Sequence, residues 1–359
     1  MKQAIKRVLL KIKEHNYQAY VVGGYPRDFY LGKESLDVDI CTSAKPRELK
    51  EIFPKLDISK AKYGSTSLYF NKIHFEITTF RKEFKYHDFR RPSKIEYIDN
   101  IKDDLLRRDF TINTLCMDEN DKLIDFLGIL NDLDNKIIKT IGDANDKLIE
   151  DGLRIMRAIR FATVLDFSLD DNLYLAICEN GYLLKEISMQ RKKEELDKIF
   201  ASSNYKKGIN LLIKTGLFEH LQLNNLDEIE LTDDLISLWA QLDVLHLYPF
   251  NKQERDIITK VQQMIKNNDY SDYQLYRYGL YVSSLVAKIK RFEMKGIIKR
   301  HRQLVIRKKS DINVSPQDLQ QFTDEKCGVK KIYFDLEEKI INHQLKNERQ
   351  AILNYLKIK

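Results

Sequence analysis

The sequence predicts an α+β head over residues 1–138 followed by an all-α remainder, and three observations carry that expectation. Short β-branched and aromatic runs bounded by turn residues recur through the first third of the chain. From Asp146 onward such runs almost vanish, and apolar residues return every three or four positions to the end. Glycine and proline are scarce, at 13 and 6 residues in 359, which favours helices over turn-rich β structure.

Residues 1–16 read as a helix with Ile5, Leu9 and Ile12 on one face. Tyr20–Val22 is a strand candidate that runs into Gly23-Gly24. Val38–Ile40, Ser67–Phe70, His74–Phe80, Ile95–Tyr97 and Cys116–Met117 are further strand candidates, with Lys122–Asp125 as another. Lys45–Ile52 reads as a helix with Pro46 near its start. The segment Phe84–Pro92 is polar, aromatic and basic without a period, and reads as a mobile loop. No repeat, low-complexity tract or long linker separates the head from the helical remainder.

Composition narrows the function classes. A hydrophobic content of 43% fills real cores and argues against disorder. A net charge of +7 permits an anionic partner such as RNA without demanding one. Cys41, Cys116, Cys178 and Cys327 are widely spaced, so neither a zinc site nor a disulfide framework is expected. No apolar run approaches the ~20 residues of a membrane span, and the N-terminus lacks a signal-peptide core. A cytoplasmic protein with reduced thiols is the expectation; oligomeric state is not legible.

Chemistry concentrates in four places. In a strand, Asp37 and Asp39 point to one face, with Val38 on the other. Paired carboxylates repel and raise each other's pKa unless a cation lies between them, and hard oxygen donors suit Mg²⁺. The Gly23-Gly24 turn opens backbone N–H groups to a phosphate at the following helix start. Glu76, in an alternating run, is a candidate third carboxylate. Together these suggest phosphoryl chemistry on a nucleotide. Second, Arg107-Arg108-Asp109 with Asn113 suits a triphosphate and a ribose.

Third, Glu150–Phe161 reads as one amphipathic helix with Glu150, Asp151, Arg154 and Arg157 on a shared face. An Asp–Arg pair offers an acceptor beside a donor fork. That matches the pairing edges of cytosine and adenine and mismatches uracil and guanine. The competing reading is an intrahelical salt bridge worth a few tenths of a kcal/mol. Fourth, ten lysines and arginines fall between Lys288 and Lys309 with one acid, Glu293. That run suits an RNA backbone, and equally a solvated helix face.

In this order the motifs resemble the class II tRNA nucleotidyltransferase/poly(A) polymerase family of the polymerase β superfamily, over roughly residues 18–200. The matching residues are Gly23-Gly24…Arg27-Asp28…Asp37-Val38-Asp39, then Arg107–Asn113, then Asp125…Gly128…Asp132-Leu133 as a hinge. Glu150-Asp151…Arg154…Arg157 and Arg191…Glu194-Glu195-Leu196 complete the set. The hinge lacks the family's usual proline and second glycine, Thr114 stands where alanine is usual, and Gly152 lies in the reading helix.

The resemblance implies a CCA-adding enzyme with an α+β nucleotidyltransferase head (1–138), a helical neck (139–200), a body (201–265) and a tail (266–359). It would add C, C and A to tRNA 3′ ends from CTP and ATP without a nucleic-acid template. Asp37 and Asp39 would hold Mg²⁺ and Glu76 would assist. Gly24, Arg27, Arg108, Asp109, Asn113 and Arg157 would contact phosphates and ribose. Asp151 and Arg154 would read the base, and Lys299, Arg300 and Arg302 would meet the tRNA. The Glu83–Pro92 loop is present, and its loss marks CC-adding members. An A-adding enzyme, a poly(A) polymerase and a non-catalytic RNA-binding protein on the same scaffold are the alternatives. The long basic helical half argues against a small-molecule nucleotidyltransferase.

Overall fold

The computed structural model describes residues 1–35, 37–87, 91–323 and 328–358. The chain divides into two compact units, Met1–Gln222 and Leu223–Lys359.

In the first unit the order is α1 (Lys2–Lys13), β1 (Ala19–Val22), α2 (Gly24–Tyr30), β2 (Val38–Thr42), α3 (Pro46–Ile52), β3 (Ser65–Phe70) and β4 (Ile73–Thr79). Then come β5 (Arg81–His87), β6 (Arg91–Tyr97), α4 (Ile101–Leu106), β7 (Cys116–Met117), β8 (Leu123–Ile124), α5 (Leu130–Asp134) and β9 (Ile137–Ile138). The unit closes with α6 (Ala144–Glu150), α7 (Leu153–Val164), β10 (Ser168–Leu169), α8 (Asp171–Asn180), α9 (Met189–Phe200), α10 (Tyr205–Lys214) and α11 (Leu217–His220).

Six strands form a mixed sheet in the order β3-β4-β2-β1-β7-β8, in which the β2–β4 pair is parallel and the others are antiparallel. Strand alternation divides its faces. Val21, Val38, Ile40, Leu68, Phe75 and Ile77 are buried with Ile5, Leu9 and Ile12 of α1 and Leu49 of α3. The opposite face carries Val22 and Cys41, packed with Leu105 of α4 and Phe80. Asp39 and Glu76 lie exposed on that second face. A slip of one residue would bury both carboxylates in the α1/α3 core, so the apolar pattern sets the register.

Three expectations are corrected. Most of the 84–92 segment is not a loop: β5 and β6 pair as an antiparallel hairpin, Arg81↔Tyr97 through His87↔Arg91, and its tip, 88–90, lies outside the described residues. The sequence of this two-stranded ribbon lacks the apolar alternation that flags a strand. The helix expected over 150–161 is broken. α6 stops at Glu150, Asp151 is extended (φ −147°, ψ 105°), and Gly152 caps α7. Gly152 sits close against Leu183: a Cβ there would lie 3.1 Å from the Leu183 Cβ and 3.2 Å from its carbonyl oxygen, so Leu183 would have to shift to admit one. Finally, among the described residues after 146 there is one short strand, β10, parallel to β9.

The second unit is helical: α12 (Leu235–Ala240), α13 (Lys252–Asn267), α14 (Asp272–Lys290), α15 (Met294–Gln303), α16 (Pro316–Gln320), α17 (Gly328–Ile341) and α18 (Arg349–Ile358). α13 starts with a reciprocal Asn251/Glu254 capping box. Leu275, Ile297, Leu319, Leu336 and Ile352 centre its core. Cys41, Cys116 and Cys178 are free thiols, and Cys327 lies outside the described residues.

Gly208 marks a tight helix contact in the first unit. A Cβ there would lie 2.4 Å from Ile199 Cγ2 of α9 and 2.7 Å from Thr163 Oγ1 of α7. We expect Gly208→Ala to destabilise the protein by about 1–3 kcal/mol through overpacking. Urea unfolding followed by circular dichroism measures it; an unchanged midpoint would show that the helices move apart without cost.

Candidate active site

One row of residues runs across the sheet. Cys116 pairs with Val22, Val22 with Asp39, Asp39 with Glu76, and Glu76 with Ser67. All five side chains therefore project to one face. Above the row lies a cavity of about 420 Å³ lined by Asp39, Glu76, Thr78, Arg81, Glu83, Arg107, Arg108, Asp109, Asp151, Arg154 and Arg157 among others.

The floor is electrostatically strained. The Asp39 carboxylate opens onto the cavity, yet its pKa is raised, first by loss of solvent, then by the neighbouring Glu76 and by Asp37; Arg108 and His74 act in the other direction. Asp37 is exposed just before β2 and does not line the cavity. Among the described residues no three metal-donor side chains converge into a preformed metal site. What stands ready is a pair of hard oxygen donors, Asp39 and Glu76, with Asp37 two residues away in the chain and acting on Asp39 electrostatically. Their repulsion is of the kind a divalent cation relieves, so the donor set fits one. The backbone supports this corner: Gly23 sits at φ +78°, and a Cβ there would be 3.3 Å from Asp39 Oδ2. A side chain is thus excluded by conformation and by the carboxylate.

Buried acids hold the arginine wall. Asp104 is fully buried. It accepts from the Arg81 backbone N–H (3.1 Å), from Arg107 Nε (2.9 Å) and from Arg108 Nη2 (3.4 Å). Glu83 joins Arg81 (2.8 Å) to Arg107 (3.0 Å). Asp109 accepts from Arg157 Nε (2.7 Å), from Asn113 Nδ2 (3.2 Å) and from the Phe110 N–H (2.9 Å). Burial alone would raise its pKa, but Arg157 and these hydrogen bonds outweigh it and hold Asp109 at about 2.

Arg27 and Asn113 do not line the cavity. Arg27 donates to Asn113 Oδ1 (2.8 Å) and to Asp28 (2.8 Å), so the pair braces Asp109 from behind. Gly24 lies beneath this brace, its Cβ position 3.5 Å from Arg27 Nη2.

Asp151 and Arg154 both line the cavity, but they are not the salt bridge that spacing allows. Arg154 pairs with Glu150 (2.5 Å) and donates to the Lys147 carbonyl (2.8 Å). Asp151 accepts the Leu153 N–H (3.0 Å), and burial raises its pKa against that bond and Arg191. The two groups interact electrostatically across the break at Asp151-Gly152. Glu195 is structural: it pairs with Arg160 (2.6 Å), tying α9 to α7. Asp125 accepts from the N–H groups of Leu127, Gly128 and Leu130, closing the turn before α5.

In the second unit, Lys299 and Arg302 are exposed on α15, but Arg300 is not available in the same way. It pairs with Asp272 (2.7 Å) and donates to the Tyr270 carbonyl (2.7 Å). Lys288 and Arg291 of the same run pair with Asp233 and Glu230. Part of the basic run is thus structural, which the sequence could not reveal because the acids come from distant segments.

Sequence reasoning missed Asp104, Glu83 and Thr78 as cavity groups or anchors. Thr78 was legible, since it shares strand parity with Glu76. Asp104 was not, because a fully buried acid on a short helix reads like a surface one.

A mixed sheet bearing adjacent carboxylates, set under arginines from the following helical layer, defines a nucleotidyltransferase head. The comparisons with known proteins agree. Residues 19–139 match the poly A polymerase head domain, 166–227 the probable RNA- and SrmB-binding site of polymerase A, and 242–356 the tRNA nucleotidyltransferase domain 2. The chain is 35% identical to the CCA-adding enzyme of Lactococcus lactis subsp. lactis over 98% of this chain and 96% of that one. It is 31% identical to that of Bacillus cytotoxicus over 97% and 96%. The crystal structure of the Bacillus stearothermophilus CCA-adding enzyme in complex with CTP superimposes with a TM-score of 0.86 at 27% identity, covering 99% of this chain and 96% of that one. The chain belongs to the CCA-adding enzyme family of nucleotidyltransferases. Among the described residues no helix is long and apolar enough to cross a membrane.

The Asp109 network carries a pH signature. Its folded pKa, about 2, lies below the ordinary 3.8, so its stabilisation is present above pH 3.8 and lost as pH falls through 2. The shift corresponds to roughly 2 kcal/mol. Urea unfolding of wild type and Asp109→Asn should differ by a constant amount above pH 4 and converge between pH 4 and 2; parallel curves throughout would refute the assignment.

Proposed function

We propose that this protein adds C, C and A to the 3′ ends of tRNA from CTP and ATP, without a nucleic-acid template and with Mg²⁺. The observation that carries the reading is the Asp39–Glu76 pair on the floor of a cavity walled by Arg108, Asp151, Arg154 and Arg157. The relatives' names and the CTP complex of the Bacillus stearothermophilus enzyme support the substrate assignment.

Asp39 and Glu76, with Asp37, would hold the divalent cation. When bound, it neutralises the carboxylates and polarises the phosphate and the attacking hydroxyl. Arg108 and Arg157 offer guanidinium N–H groups to the triphosphate, and their buried partners fix their aim. Asp109, ionised at any working pH, is an acceptor for a sugar hydroxyl. Arg27, Asn113 and Gly24 keep Asp109 and the turn in place rather than touching the nucleotide. Asp151 and Arg154 read the base. The RNA 3′-hydroxyl attacks the α-phosphorus, and pyrophosphate departs. Lys299 and Arg302 meet the tRNA backbone; Arg300 acts there only if its pair with Asp272 opens.

Incubating the protein with tRNA lacking its 3′ end, supplying each nucleotide in turn and sequencing the ends tests the reading. Products ending in CCA are expected. Products extended only by A, or by an A tract, would replace it with A addition or polyadenylation. In the same assay Asp39→Ala should lower addition by about a hundred- to a thousandfold, the scale on which a principal electrostatic stabiliser acts. Its tRNA affinity should persist; full activity in a folded variant would remove the cation site.

Base reading makes a second expectation. UTP or GTP would set a carbonyl against Asp151 and a ring N–H against Arg154, costing ~1–3 kcal/mol for each unsatisfied group. Asp151→Ala should therefore relax discrimination against UTP and GTP, and Arg154→Ala should impair CTP and ATP alike. Measured kcat/KM for all four nucleotides decides it, and unchanged selectivity in both variants would place base reading elsewhere.

A further inference from the structure

The catalytic face of the sheet does not stop at Glu76. β3 is an edge strand, and its pairing with β4 extends the face outward: Ser67 lies opposite Glu76, and Tyr69 opposite His74. Ser67 Oγ and His74 Nε2 are 2.6 Å apart, so the imidazole is held in place. The Tyr69 and His74 rings are 4.8 Å apart, tilted at 46°. Tyr69 is 74% exposed, more than any other described aromatic side chain. Beside the rings lies a recess of about 100 Å³ lined by Asp57, Ser59, Lys60, Ser67, His74 and Glu76. Glu76 therefore borders both this recess and the main cavity.

We infer that Tyr69 and His74 form the stacking platform for the unpaired 3′-terminal bases of the acceptor RNA. The inference rests on reading the chain as a nucleotidyltransferase acting on an RNA 3′ end. The incoming nucleotide fills the arginine-walled cavity on one side of the carboxylates, so the attacking 3′-hydroxyl must reach them from elsewhere. The recess is a polar approach to Glu76 along the sheet. His74 is two residues from Glu76, ~7 Å along the strand. A nucleotide whose hydroxyl stands at Glu76 thus has the aromatic rings within reach of its own base or the preceding one.

Stacking also suits what the acceptor requires. Its terminal base changes with each addition, so a hydrogen-bonding pocket would reject its own product. Ring faces accept every base. The acids Asp57 and Glu76 outnumber Lys60 in the recess, so it offers a phosphate no net attraction and leaves the rings to hold the strand. An edge-strand tyrosine left in water has no core role, and a hydroxyl-anchored histidine beside it makes a rigid two-ring surface. Neither residue belongs to the motifs that define the family resemblance.

The test uses the full-length protein and a tRNA ending in CC, with a second tRNA whose 3′-terminal base is 2-aminopurine. Tyr69→Ala should raise the acceptor KM roughly five- to a hundredfold, the range for loss of one stacked base, while the KM for ATP stays unchanged. Tyr69→Phe should behave as wild type, and His74→Ala should lie between. Without nucleotide, wild type should quench the 2-aminopurine fluorescence and Tyr69→Ala should not. Tyr69 is solvent-exposed, so thermal unfolding should be unaltered. If wild type extends the tRNA and Tyr69→Ala matches it in acceptor KM and in quenching, the platform is overturned while the proposed function stands. If wild type neither extends nor quenches, both are overturned.

Discussion

The parallel pairing of β2 with β4 is the constraint on which the rest of the first unit depends. It sets Asp39 directly beside Glu76, at a spacing where the Glu76 carboxylate opposes ionisation of Asp39. The α1/α3 layer enforces that arrangement, because Val38, Ile40, Phe75 and Ile77 have no other place to bury. Hydrophobic burial thus holds the sheet in a register whose polar face is strained by itself. The close approach of the Gly23 backbone, the nearby Arg108 and the cation that the donor set fits are all responses to that strain.

The arginines above the floor follow a second rule. A guanidinium with five donors can be held on one edge and presented on the other. Asp104, Asp109, Glu83 and Glu150 hold Arg107, Arg157, Arg81 and Arg154 in this way. Buried ion pairs of this kind stabilise the fold by less than their Coulomb attraction alone, since desolvation offsets part of it. What they supply is aim: a wall of cations whose positions are set before an anion arrives, so that little reorganisation is left for the moment of binding.

The helical unit uses its charge differently. Of the basic run from Lys288 to Lys309, Lys288, Arg291 and Arg300 are paired with Asp233, Glu230 and Asp272, and Lys309 lies over the Tyr333 ring at 3.8 Å. Lys295, Lys299 and Arg302 line one open groove on α15. Charge density along the sequence therefore overstates the charge offered to a partner, because folding commits part of it to internal ion pairs.

Local signals determined much of this protein. Alternation and helical periodicity were enough for the α+β head and the helical remainder, because they record which side of each element is buried. The order of short motifs was enough for the family. Asp39 and Glu76 were legible as candidates because strand parity is a property of one segment. The tertiary structure alone decided which groups act together. It set Glu76 against Asp39 through a non-local parallel pair, and moved Arg27 and Asn113 from the cavity to a bracing role behind Asp109. It broke the 150–161 helix at Asp151-Gly152, where Leu183 packs closely against the glycine. It also buried Asp104 as an anchor and gave Arg300 an internal partner. Each of these depends on contacts between residues far apart in the chain, whose distances are set by packing and leave no trace in local spacing.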